Sequence, residues 1–183
     1  METIVFGTEI QCAEFKAKFP QTKAQFYGKN DYLVPPQAER TLIWDFLTFD
    51  EPGRISFYQN LQNQHISLFA HAVGSSLAEW QSKFGLFGFD IFGFNGLPGF
   101  FNRDILELSV LNPESEARLK ELMEKLGSDF QLVEDRVGMV SPRVICMIIN
   151  EAYFTLQEGT ANKEDIDLGM KLGTNYPKGP FEW

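Results

Sequence analysis

Apolar residues along this chain fall into short continuous runs separated by stretches with helical spacing. The run Thr3-Ile4-Val5-Phe6, stopped by Gly7, predicts a strand, and residues 9–19, closed by Pro20, predict a helix. A short strand over 24–27 follows. Residues 28–40 contain Gly28, Asn30, Asp31, Pro35 and Pro36 and read as a connection. The pattern then sharpens into strands over 41–46, 66–72, 86–94, 105–111 and 131–133, interleaved with helices over 52–62, 76–84 and 113–126. Strands that are apolar on both faces and separated by single helices predict an α/β fold, a mostly parallel, doubly wound sheet with helices covering it. After Gly138 the character changes: residues 144–156 are apolar on nearly every side, a pattern that requires cover by other protein. Gly159 stops that helix, and Asn162 caps another that ends at Gly173. The expected division is a sheet domain over 1–135 and a short helical segment over 136–183.

Composition narrows the functional classes. A net charge of -9 and a pI near 4.7 repel polyphosphate, so nucleic acid is not an expected partner. No apolar run reaches the roughly 18 residues a membrane span needs, and the start METIVFGTEI lacks a signal-peptide pattern, so the expected compartment is the cytoplasm. Cys12 and Cys146 stand far apart in apolar surroundings and read as buried free thiols. With His65 and His71 as the only imidazoles, no metal site is expected.

The segment GLFGFDIFGFNGLPGFF, residues 85–101, is dominated by phenylalanine and glycine. Strand alternation sets Phe87, Phe89, Ile91 and Gly93 on one face and Gly88, Asp90, Phe92 and Phe94 on the other. Two readings stand: the rings fill a core, or they line an apolar pocket for an acyl chain. His71 ends a predicted strand at the carboxyl edge of the sheet, where open α/β sheets bind ligands, and is a candidate base; as a lone histidine it also reads as a partly buried, hydrogen-bonded residue.

The sequence NEAYFTLQEGTANKEDIDLGMKLGTNYPKGPFEW, residues 150–183, resembles the start of the C-terminal helical domain of 3-hydroxyacyl-CoA dehydrogenases, whose N-E-A, E-G, E-D-I-D, M-K-L-G and P-x-G-P elements occur in this order. Residues 41–149 resemble the second half of that family's dinucleotide-binding domain, and residues 1–40 match poorly. The resemblance implies a reduced Rossmann-like sheet, NAD-dependent oxidation of an acyl-CoA hydroxyl by a histidine–glutamate pair, and dimerisation through the helical domain.

Carried over residue by residue, the family motifs leave gaps. The motif H-F-F-N-P-x-P falls on Phe92-Gly93-Phe94-Asn95-Gly96-Leu97-Pro98, which puts Phe92 where the histidine belongs. The L-V-E-V glutamate is kept as Glu107, the expected asparagine falls on Pro142, and the serine-rich S-N-T-S-S loop becomes AHAVGSSLAEW, with Ser75 and Ser76 shifted or replaced. The glycine fingerprint that cradles pyrophosphate keeps only Gly7, followed by Thr8 and Glu9; Asp45 stands where the family often has a glutamate. The expected site is therefore Glu107 with His71 as catalytic candidates, Phe92, Phe94, Asn95, Ser75 and Ser76 around a substrate, and Gly7 and Asp45 as remnants of a cofactor site. The first expectation is a protein without NAD-dependent oxidation and with no cofactor, dimeric through helix 144–156, that binds an acyl-CoA-like ligand or a protein. Two others stand beside it: an active dehydrogenase that uses NAD at a divergent site, and a structural or assembly module.

Overall fold

The computed structural model describes residues 2–29, 31, 40–47, 52–61, 65–85 and 88–183, and the chain divides into two compact units, 1–139 and 140–183. The first unit holds β1 (Glu2–Phe6), α1 (Glu9–Lys18), β2 (Gln25–Tyr27), β3 (Thr41–Asp45), α2 (Pro52–Asn60), β4 (Ile66–His71), α3 (Leu77–Phe84), β5 (Asp90–Phe94), β6 (Ile105–Val110), α4 (Glu116–Leu126) and β7 (Asp129–Leu132). The strands form one sheet in the order β2-β1-β3-β4-β5-β6-β7. Every neighbouring pair is parallel except β5 with β6. This is the α/β, mostly parallel sheet that the alternation of apolar runs predicts, in the Rossmann-like form that the resemblance implies.

Continuous apolar runs become central strands because both of their faces are covered. On one face Ile4, Ile43, Leu68, Ala70 and Ile91 pack under α2 and α3, which supply Tyr58, Leu77 and Trp80, with Leu61 from the turn after α2. On the other, Trp44, Phe69, Phe92 and Phe94 pack under α1 and α4, which supply Phe15, Leu119 and Leu122, with Phe19 from the C-cap of α1. The Trp44 and Phe69 rings stack at 3.9 Å. Phe101, from the loop after β5, lies within 6.0 Å of the Phe15, Trp44, Phe46 and Phe94 rings. The aromatic stretch thus builds core on both sides of the sheet.

Local signals set the helix ends. Thr8 caps α1 in a reciprocal box with Gln11, Ser76 caps α3, and Gly85 and Gly127 close α3 and α4 in the left-handed conformation at φ 60° and 66°. The strand predicted over 86–94 is shorter in the structure. Residues 86–87 lie outside the described set, Gly88 turns the backbone at φ 94°, and β5 begins at Asp90. Most of the predicted connection over 28–40 also lies outside the described residues.

The second unit contains α5 (Ser141–Gln157) and α6 (Lys163–Gly173), followed by a tail that folds back on them. The Phe181 amide donates to Asp167 Oδ1 at 2.9 Å, and the Phe181 ring meets Tyr153 edge-on at 5.0 Å. Gly179 permits this return, since a Cβ there would stand 2.2 Å from Asp167 Cγ. The cover predicted for 144–156 is incomplete: Ile145 and Ala152 are buried, while Val144, Met147, Tyr153 and Phe154 are more than half exposed.

Candidate functional site

Strand alternation sorts the candidate residues onto two faces of the sheet. Phe92 and Phe94 are fully buried on the α1/α4 face, and His71 lies on that side beside the Phe94 ring. Gly93 points the other way, since a Cβ built on it would meet Ala72 and Leu77 of the α2/α3 face at 2.9 and 3.6 Å. On β6, Leu106 and Leu108 belong to the α1/α4 layer, so Glu107 and Ser109 project to the α2/α3 face. The antiparallel register pairs Gly93 with Ser109 and Phe94 with Leu108; one further step sets Asn95 opposite Glu107. Glu107 and Ser109 therefore share one face, and Glu107 is separated from Phe92, Phe94 and His71 by the thickness of the sheet. An imidazole–carboxylate pair of His71 and Glu107 is not formed.

His71 is engaged elsewhere. Its Nδ1 accepts the Gly96 amide at 2.9 Å, and burial lowers its pKa to about 4, so the ring is neutral at physiological pH. It fixes the turn that leaves β5. Gly96 fits there because a Cβ would stand 2.9 Å from both His71 Nδ1 and the Phe94 ring. Ser76 accepts the Glu79 amide, and Asp135 accepts the amides of Leu77 and Ala78 at 2.8 and 2.9 Å, a carboxylate on the positive end of α3. Ser75, in the same loop, hydrogen-bonds the Glu79 carboxylate. Pro142 lies in the first turn of α5.

At the carboxyl edge of β1, Gly7 is followed at once by polar groups that bind one another. Gln11 Oε1 accepts the Thr8 amide at 2.9 Å, and the Thr8 hydroxyl accepts the Gln11 amide. The Gln11 Nε2 then donates to the Gly96 carbonyl at 3.0 Å and to the Phe46 carbonyl at 3.4 Å. Further along the same face of α1, Glu14 accepts the Gly99 amide and Lys18 donates to the carbonyls of Arg103 and Asp104. Three side chains of one helix thus hold the 96–104 loop across the edge of the sheet where α1 begins.

Asp45, at the end of β3, is fully buried. Arg54 grips both of its oxygens at 2.7 and 2.9 Å, and the Tyr58 hydroxyl donates to Oδ2 at 2.6 Å. Burial raises the Asp45 pKa against the pull of Arg54, and burial beside Asp45 pushes the Tyr58 phenol well above its usual value. Sequence reasoning did not reach Gln11 or the Arg54–Tyr58 pair. The first carried a signal in Thr8-x-x-Gln11, a capping-box spacing; the second carried none, since nothing in the chain order links Asp45 to α2.

Comparison with known proteins agrees with this architecture. Residues 138–183 match the family described as 3-hydroxyacyl-CoA dehydrogenase, C-terminal domain. A 3-hydroxyadipyl-CoA dehydrogenase of Escherichia coli (strain K12) is 41% identical over 76 residues, 41% of this chain and 16% of that protein. A probable 3-hydroxybutyryl-CoA dehydrogenase of Bacillus subtilis (strain 168) is 45% identical over 78 residues, 43% of this chain and 27% of the relative. The matched segments thus span well under a third of these relatives. In three dimensions the chain is similar to the crystal structure of an (S)-3-hydroxybutyryl-CoA dehydrogenase from Ralstonia eutropha, with a TM-score of 0.68, 20% identity, and coverage of 98% of this chain and 79% of that one. The helical unit thus matches the C-terminal domain of 3-hydroxyacyl-CoA dehydrogenases in sequence, and the chain shares its fold with a solved member of that family.

Proposed function

We propose that this chain keeps the dehydrogenase scaffold without NAD-dependent oxidation and binds an acyl-CoA-like ligand. The observation that carries the reading is the Gln11 bridge. A dinucleotide fold presents free backbone amides and small residues to a pyrophosphate at this edge. Here the Thr8 and Gln11 amides are occupied by side chains, Glu9 adds a carboxylate in the first turn, and Gln11 spans to Gly96. These residues do not fit the cofactor. Nor does any imidazole share the face of Glu107, so the proton of a substrate hydroxyl has no histidine to receive it.

On the α2/α3 face Glu107 is the partly exposed polar group, and as a carboxylate it would accept a substrate hydroxyl hydrogen. The exposed stripe Val144, Met147 and Phe154 on α5 supports a dimer formed through this helix. A second reading, an active NAD-dependent enzyme with a divergent site, draws support from the names of the relatives that share its C-terminal sequence. The test is direct. Calorimetry of the full chain should give heat with acetoacetyl-CoA and none with NADH. Reduction of NAD by 3-hydroxybutyryl-CoA, abolished by Glu107→Gln, would overturn the first reading in favour of the second.

A further inference from the structure

The opposite, amino edge of the sheet carries a cavity of about 740 Å³ that the scaffold's own chemistry does not use. We propose that it is a binding site for a small phosphorylated polyol, such as a sugar phosphate. This site does not depend on the reading of the carboxyl edge.

The reversal of β6 creates it. Because β6 runs antiparallel to β5, the chain leaves β6 at the amino edge, and α4 begins there, whereas α1 and α3 begin at the carboxyl edge. A helix start carries a positive dipole end, and here the preceding 3₁₀ turn already pairs the Ser115 and Glu116 amides with the carbonyls of Asn112 and Pro113, so the dipole and the side chains carry the attraction. Asn112 precedes the 3₁₀ turn Pro113–Ser115 and Ser115 precedes α4, the positions from which a side chain ordinarily caps its own helix; neither makes that bond, and both line the cavity.

A second observation comes from β4. Ser67 is 4% exposed, its hydroxyl bonds none of the described residues, and it lines the cavity floor beside its register partner Asp90. Such a buried hydroxyl is suited to a ligand oxygen.

The charges divide between the two halves of the ligand. Arg40 forms no ion pair with any described residue and stands at the rim with His65. Arg118 reaches Glu121 through Nη1 at 2.7 Å and Asp90 through Nε at 3.8 Å, which leaves Nη2 outside both contacts. In a chain of net charge -9, two guanidinium groups and a helix start at one cavity make an anion site. Asp90 and Glu121, as acceptors only, suit the hydroxyl hydrogens of a polyol and disfavour a bare dianion.

The test is amide NMR of the labelled full chain titrated with ribose 5-phosphate, with ribose and inorganic phosphate as separate probes at matched ionic strength. The expected result is saturable shifts at Arg40, Ser67 and Ser115, absent with ribose and weaker with inorganic phosphate. Arg40→Ala and Ser67→Ala should each weaken binding by about fivefold or more while the remaining spectrum is unchanged. No saturable shift at millimolar ribose 5-phosphate, shifts confined to α1, or full affinity in both variants would overturn the site. Inorganic phosphate binding as tightly as ribose 5-phosphate would overturn the polyol.

Discussion

Gln11 and Gly96 are joined by a hydrogen bond of 3.0 Å that ties the first helix of the sheet to the loop after its fifth strand, 85 positions away in sequence. The amide is buried, so its loss leaves the Gly96 carbonyl without this partner. Gln11→Ala should lower stability by about 1–2 kcal/mol in urea unfolding. It should not create affinity for NADH, because Glu9 and the Thr8 turn remain. Unchanged stability would show that the bridge holds nothing.

The His71 imidazole gives a pH dependence with a definite sign. Its folded pKa of about 4 lies below the ordinary 6.5, so the unfolded chain binds this proton more readily. Its contribution is fully present above pH 6.5 and is lost as the pH falls through that value toward 4, an effect on the order of 3 kcal/mol. His71→Gln, which keeps an acceptor for the Gly96 amide, should flatten that slope. The comparison is urea midpoints across this pH window for the two proteins.

Packing at Gly93 is tight enough to test by a methyl group. A Cβ there would lie 2.3 Å from Ser109 Oγ and 2.9 Å from Ala72 Cβ. Gly93→Ala should cost about 1–3 kcal/mol. Adding Ser109→Ala removes the nearer clash and should restore part of the loss, as a double-mutant cycle in thermal unfolding would read.

Much of the architecture could be read from periodicity, because parallel strands buried on both faces announce themselves as unbroken apolar runs and glycine or proline marks their ends. The face on which each candidate stands was harder. Motif spacing places Phe92 and Glu107 in one site, but the register of β5 and β6 pairs Phe92 with Val110 and sets Phe92 and Glu107 on opposite faces. That register is decided by the length of the loop after β5, which no local propensity encodes. His71 was legible as a partly buried, hydrogen-bonded residue, but its partner was not, because the Gly96 amide belongs to a different strand exit. The reversal of β6 also leaves no mark in a local apolar pattern.

The buried pair of Asp45 and Arg54 should be intolerant of single removal. Arg54→Met strands a carboxylate in the core and should cost about 3–5 kcal/mol, whereas Asp45→Asn with Arg54→Met should cost less. A loss in the double variant equal to the sum of the losses from Arg54→Met and Asp45→Asn alone, measured by chemical unfolding, would show that the two side chains act independently.

On α5, Met147 is 63% exposed within an apolar stripe. If a dimer forms through this helix, Met147→Asp should shift sedimentation at micromolar protein from dimer to monomer with the helical signal retained. A wild-type monomer at that concentration would remove this part of the proposal.

The stacked Trp44 has a practical corollary. With Trp80 it gives the sheet unit two shielded indoles, while the remaining tryptophan, Trp183, belongs to the helical unit. Intrinsic emission can therefore separate the melting of the two units: a Trp183→Phe protein would report the sheet alone, and its difference from wild type would report the helices.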